Sequence, residues 1–390
     1  SWFEGNNDME QIHISNFTSI GGLNLGTYNG TGVTGDSTYI SSNLNTMSIN
    51  KGISINGPIQ IVGDDITFAD NVDLSTSSAA NSDINIKGYG YLVMLTNVDF
   101  TTNGGDVILW ANSQNVTSGT ANNEVDFRGN NNVTTSGGHI VMAGGSDTNS
   151  DGIPDGYAYR SYNDTIKPAE LGANVTLNSG GGDIIIRGQG GGMGVGMSDG
   201  NATINAGSGT IEIAGIGSAS HGVYFGNNVA IQSSSNESTA ISITGSSTST
   251  FGIYLGTGSA SKNLLIQSTS STVGAGDISI AGTGPDIGIG FDYYGSSSLV
   301  QVLSVAGDIN LTAAGSEGRT IYFSNNQGVY LGQRANSTAV NGITPIAATS
   351  FGDINILSSG GILTYGGLYV NTGSSSVVGG DVIIASDTNA

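Results

Sequence analysis

The stretch SDTNSDGIPDG, residues 146 to 156, sets oxygen-bearing side chains at alternate positions. Asp147, Asn149, Asp151 and Asp155 fall at positions 1, 3, 5 and 9 of a calcium loop, with Gly152 at the turning position 6 and the Ile153 carbonyl at 7. Ca²⁺ takes about six to eight oxygens, and alternate residues reach one ion only where the chain curls, as a glycine allows. Position 12 is Ala158 instead of a bidentate Glu, so a complete EF-hand is excluded; Asp164 is a candidate distant ligand. Carboxylates this closely spaced repel one another without a counter-ion. Asp147, Asn149, Asp151, Ile153 and Asp155 are therefore expected to hold Ca²⁺ at modest affinity. The plainer alternative is a solvated acidic loop.

Paired carboxylates offer a second chemistry. Gly63-Asp64-Asp65 resembles the paired aspartates of polygalacturonases, and Ser220-His221-Gly222 resembles their histidine segment. The companion NTDG and RIK motifs are missing, and two carboxylates hydrolyse a glycoside only at about 5–10 Å across a cleft. A lyase needs Lys or Arg beside an acidic sugar, and the chain has few of either. His13, His139 and His221 are too scattered for a zinc site. GQGGGMGVG, from Gly188, lacks the Lys of a P-loop and reads as turn and packing. The sequons at Asn16, Asn115, Asn174 and Asn310 are expected by chance in a chain this rich in Asn, Ser and Thr. The chain is accordingly not expected to be an enzyme. A β-helical polysaccharide lyase or glycoside hydrolase is the alternative.

The composition narrows the partners. Nine Lys and Arg stand against 30 Asp and Glu, a net charge of −21. Nucleic acid and anionic lipid both need clustered basic residues, so neither is an expected partner, and divalent cations are the natural counter-ions. There is no Cys, hence no disulfide or thiolate metal site. No apolar run approaches a membrane span, so membrane insertion is not expected. The absence of an initiator Met and of a signal peptide suggests a processed product or an excised segment.

The elements that must position these residues repeat. GGDIIIRG at Gly181 returns as GGDVILWA from Gly104, AGDISIAG from Ala275, AGDINLTA from Ala306, FGDINILS from Phe351 and GGDVIIAS from Gly379. Weaker copies stand at His139, Thr210 and Ala240, and closer ones at DDITFAD and SDINIKG upstream. Between copies lie two further strand-like segments. One reads GVYFG, GIYLG, TIYFS and GVYLG from Gly222, Gly252, Thr320 and Gly328; the other reads NVAIQS, NLLIQS and LVQVLS from Asn228, Asn263 and Leu299. Alternation turns Ile278 and Ile280 one way and Ser279 the other; Ile354 and Ile356 pair, with Asn355 outward.

Three short strands with one apolar face each cannot bury that face alone, but stacked periods can. The expected fold is all-β: an elongated parallel, right-handed β-helix solenoid with about three short strands per turn. Roughly ten to thirteen turns at about 4.8 Å give a rod on the order of 50–60 Å. Residues 1–100 read as an N-terminal β-rich region continuous with the solenoid, and 101–390 as the β-helix with an acidic loop inserted at 146–170. Gly before Asp is expected to permit a corner with φ > 0, and Asp to close it by accepting a backbone N–H. A cation-binding column of aspartates is the alternative.

These GDIxI copies, with the GIYLG and NLLIQS intervals and Ser/Thr/Asn-rich turns, resemble the shaft repeats of filamentous-haemagglutinin-like adhesins, exported by two-partner secretion or as autotransporter passengers. The resemblance covers most of the chain and is strongest from Gly181 onward. It implies secretion to the bacterial cell surface, a right-handed β-helix, and a role in adhesion or matrix building. The family's N-terminal secretion domain is not recognisable in the first 100 residues. Expected partners are the chain itself, stacked end to end, further segments of a longer chain, and glycans or host and cell-surface proteins.

Overall fold

The computed structural model describes residues 2–4, 17–19, 23–26, 47–50, 52–55, 57–77, 82–117, 121–161, 167–197, 200–257, 262–293, 299–316, 319–324, 328–332, 339–346, 352–373 and 379–386. Apart from two short strands described below, their strands form three parallel sheets visited in rotation. Ile184–Gly190 lies in the first sheet, Val195–Met197 in the second and Ala202–Asn205 in the third; Ile211–Gly217 then returns to the first. Each strand pairs in register with its counterpart one turn on, as Ile184 with Ile211 and Ile186 with Ile213. The chain is thus a three-strand-per-turn parallel β-helix.

Thirteen strands follow one another along the main path of the first sheet. At about 4.8 Å per step the rod is on the order of 60 Å long. The described strands before residue 101 belong to the same three sheets, since Ile84–Gly88 pairs with Val107–Ala111 and Leu92–Met94 with Val125–Phe127.

Period-two alternation builds the interior. In the first sheet Ile184, Ile186, Ile211, Ile213, Ile278 and Ile280 point inward and are buried. The second sheet adds Phe68, Phe127, Phe225, Phe291 and Phe323, all without solvent exposure. Phe291 and Phe323 stack at 5.0 Å on adjacent turns. Many outward positions carry small polar groups, and Asn355 Nδ2 donates to Asn310 Oδ1 at 2.9 Å across one step.

The aspartates of the GD corner form a ladder of their own. Asp106 N–H donates to Asp83 Oδ1 at 2.9 Å, and His139 N–H to Asp106 Oδ1 at 2.7 Å. Asp308, Asp353 and Asp381 repeat the bond to Asp277, Asp308 and Asp353 at 2.8, 2.7 and 2.7 Å. His139 takes part through Nδ1, which accepts the Asp183 N–H at 3.0 Å. Each carboxylate therefore serves the next turn rather than its own. At the bulge near Thr239 the ladder breaks, and Asp277 N–H donates to Ser238 O.

Three details differ from the sequence reading. The glycine directly before the corner residue, Asp or His139, keeps a φ outside the left-handed range at Gly105, Gly138, Gly182 and Gly307; only Gly276 has φ +82°. Its requirement is close approach, because a Cβ at Gly105 would lie 2.5 Å from the Ser82 carbonyl carbon. The positive φ belongs one residue earlier, at Gly104 (95°), Gly137 (124°) and Gly181 (146°). Next, GVYLG at Val329–Gly332 sits in the third sheet, paired with Leu299–Ser304, and not with GIYLG in the second. Finally, Ile66–Phe68 of DDITFAD is a second-sheet strand; the first-sheet strand of that turn is Ile59–Gly63.

Candidate functional site

One long insertion, from Gly332 to Ile354, lies between the third sheet and the first, where Val340 and Ile343 pack with Ala230, Leu265 and Leu303. Two others share one corner, where the chain passes from the first sheet to the second. Most turns cross it in a few residues, as from Gly190 to Val195. Two whose excursions are mostly described do not: Ala111 leads to Val125, and Gly144 to Ala169, only after longer stretches; the long connection from Gly26 to Met47 runs through residues 27–46, outside the described ones. The excursions brace each other. Asn122–Asn123 pairs antiparallel with Ala158–Arg160, which in turn extends the first sheet beside Gly188–Gly190. Buried Asn112, at φ 52°, is the hub: its Nδ2 reaches Val116 O and Tyr157 O, and its Oδ1 accepts from Val116 N and Asn123 Nδ2.

Under this brace lies an open groove of about 400 Å³. Asp64 and Asp65 line it from one turn, Tyr89 to Tyr91 from the next, and Gln114, Asn122 and Asn123 from the third. Tyr91 and Asn122 also line an adjoining depression of about 250 Å³ that ends at Glu124, Arg128 and Arg160. Gly90 is required here, because a Cβ on it would collide with the Asp65 carboxylate. Asp65 Oδ1 accepts the Tyr91 N–H at 3.1 Å. Burial, with smaller contributions from Asp64 and Glu124, pushes the Asp65 carboxyl up to about 6 against the pull of that N–H. Burial raises Asp64 as well. Glu124 is buried and raised too, although it is paired with Arg160. Arg128 is engaged by Asp126 at 2.6 Å and Lys167 by Glu170 at 2.7 Å. The basic groups beside the groove are thus neutralised by the protein itself.

The 146–156 loop curls on the neighbouring outer face of the first sheet. Asp147 Oδ1 accepts from Ser150 N and Asp151 N, and its Oδ2 from Gly152 N. Asp151 accepts from Ile153 N and from Asn149 Nδ2, and Asp155 Oδ2 from Thr148 N. Hydrogen bonds from Thr148, chiefly its side chain, hold the Asp155 carboxyl below its usual value. The curl expected of a cation loop is present, with Ser150 at φ 64° and Gly152 at 88°, but backbone N–H groups engage the carboxylates. The Ile153 side chain packs against the cluster of Ile108, Trp110, Val141 and Ala143, and Arg187 reaches Pro154 O at 3.3 Å while paired with Glu212. Beside the loop Lys87 lies 3.7 Å over the Trp110 ring, whose Nε1 donates to Gly145 O. Asp164 lies outside the described residues. Among the described residues no three His, Asp or Glu side chains are gathered as a metal ion would need.

The other residues singled out fall apart. His221 stands five first-sheet strands beyond Asp64, about 24 Å along the rod. It stacks on Tyr254 at 4.9 Å and Tyr224 at 5.5 Å, and burial pushes its pKa down to about 4. GQGGGMGVG is packing, since a Cβ on Gly194 would meet Gly222 O and Gly188 O. His139 belongs to the corner ladder, and His13 lies outside the described residues. The sequence reading missed the tyrosines at 89 and 91; GYGY directly after a strand was their only signal. No protein-family model, curated protein or solved structure matches the chain.

Proposed function

We propose that the protein is an extracellular structural and adhesive element: the β-helical shaft of a bacterial surface adhesin, or of a self-assembling matrix fibre. The observation that carries this reading is the ladder. Turn after turn spends its apolar residues inward and shows mostly Ser, Thr, Asn and Gly outward, while two of the larger insertions brace each other at one corner. Such a rod supplies reach and stiffness, and a corner insertion supplies a contact surface. The likeness of the GDIxI turns to filamentous-haemagglutinin-like shafts supports the same location outside the cell. Its partners on this reading are further β-helical segments end to end, and glycans or proteins of a facing surface.

The reading includes Ca²⁺ as the ion of the 146–156 loop, supported by the curl of Asp147, Asn149, Asp151 and Asp155 around Gly152. Antibodies against the purified chain test the location. They should label intact, unpermeabilised cells of the source bacterium; label that appears only after permeabilisation overturns the proposal.

One observation favours a second reading, a polysaccharide-degrading enzyme. Asp64 and Asp65 line an open groove and both have raised pKa values, as an acid catalyst needs near neutral pH. Release of reducing ends from a polysaccharide, lost in Asp64→Asn, would establish it.

A further inference from the structure

We propose that the corner groove between Asp64 and Asn123 binds a neutral oligosaccharide. The assignment rests on the adhesive reading above and gives it a ligand class. Pockets for small apolar ligands are lined mostly by hydrophobic side chains, whereas this one is lined mainly by carboxylates, amides and phenols, with Val116 and Ala121 its aliphatic side chains. That set matches a sugar. Carboxylates accept hydroxyl protons, the amides of Gln114, Asn122 and Asn123 both donate and accept, and tyrosine rings cover apolar C–H faces while offering a hydroxyl. Asp65 spends one oxygen on the Tyr91 N–H and keeps the other for a ligand.

The charge selects a neutral ligand. Arg160 and Arg128 at the end of the groove are held by Glu124 and Asp126, so neither supplies a free cation for an acidic sugar. The nearest charges without a basic partner of their own are Asp64 and Asp65, which repel uronates and sulfates. The site is also built rather than incidental. Three successive turns contribute to it, Gly90 leaves room for Asp65, and the Asn112 hub fixes the wall that carries Asn122 and Asn123. Its volume lies within the range of ligand sites, roughly 300–1,000 Å³.

The test is calorimetric titration of the full chain with gluco-, manno-, galacto- and xylo-oligosaccharides of about four to six units, beside an oligogalacturonate of the same length. At least one neutral series should bind. Asp65→Asn, which keeps an oxygen for the Tyr91 N–H, should weaken it about fivefold or more, and Tyr91→Ala about tenfold or more. Ser279→Ala, on the outward row of the first sheet seven strands beyond Ile59–Gly63, should change nothing. Failure of every neutral series, preference for the oligogalacturonate, or binding unchanged in both groove variants would overturn the proposal. Surface-labelled protein that takes no sugar refutes the groove alone, whereas sugar binding by a protein found only inside permeabilised cells refutes the surface reading alone.

Discussion

Replacing Asp308 isolates what the corner ladder contributes. Its Oδ1 accepts the Asp353 N–H at 2.7 Å, and its own N–H donates to Asp277 Oδ1 at 2.8 Å. Asp308→Ala and Asp308→Asn both remove the charge, and with it a repulsion from the carboxylates one turn either side. At about 4.8 Å in a water-like dielectric that relief is about 1 kcal/mol per neighbour. Only the alanine also removes the acceptor, leaving a half-buried amide without its bond at a cost of about 1–3 kcal/mol. The two variants should therefore differ by about 1–3 kcal/mol, with alanine the less stable. A solenoid need not unfold in one step, so the local readout is the better one. By native-state hydrogen exchange the Asp353 amide should exchange about 5- to 150-fold faster in the alanine variant than in the asparagine variant. Equal exchange in the two would refute the ladder as a source of stability.

The stability contributed by the carboxylates with raised pKa values should also fall as pH rises from about 4 to above 6. Asp64, Asp65, Glu124 and Asp277 bind more protons in the folded than in the unfolded chain across that window, whereas His221, pushed down to about 4 by burial, binds fewer and opposes them, so the effect is read as the difference between the chain and a variant of one carboxylate. The stability these groups confer is full below their unfolded values and is lost as pH passes their folded ones. Asp65 moves from 3.8 to about 6, nominally ~3 kcal/mol and ~1–2 after solvent screening; Asp65→Asn should recover that at pH 8 and nothing at pH 3, read by urea midpoints. Gly307→Ala places a Cβ 2.6 Å from Asp277 N and should cost about 1–3 kcal/mol, with faster amide exchange around residue 277. Calcium added to the chain should give a measurable heat of binding with an affinity of about 10⁻⁴ to 10⁻³ M, and a chelator should speed cleavage near Tyr157 while leaving the strands protected. No heat and identical cleavage would leave a plain acidic loop.

The rungs were legible because the first sheet writes the same alternation each time. Even the weak copies mark first-sheet strands, His139 and Thr210 just before one and Ala240 at the start of one, since inward Ile140, Met142, Ile211, Ile213, Ile241 and Ile243 survive the loss of Asp. The assignment of GVYLG was not legible. Second- and third-sheet strands share length and alternation, and only the pairing of Val329 with Val300 separates them. The corner glycines were legible as necessary but not in their reason, because the clash at Gly105 involves Ser82, 23 residues away on the previous turn. The groove was only partly legible. Asp64 and Asp65 drew notice as a pair, but Tyr91 and Asn123 join them only because turns of unequal length stack in register. Local spacing carries no trace of that.

All of this depends on the turns adding up, step by step, to one continuous rod. The chain has no Cys, so introduced pairs give clean spin labels. Gln60, Ser279 and Asn355 occupy one outward row of the first sheet, seven and nine steps apart counted from Gln60. Electron–electron distance measurement on the 60/279 and 60/355 cysteine pairs should give narrow distributions near ~34 and ~43 Å, differing by two steps. A second distance equal to or shorter than the first would contradict the rod.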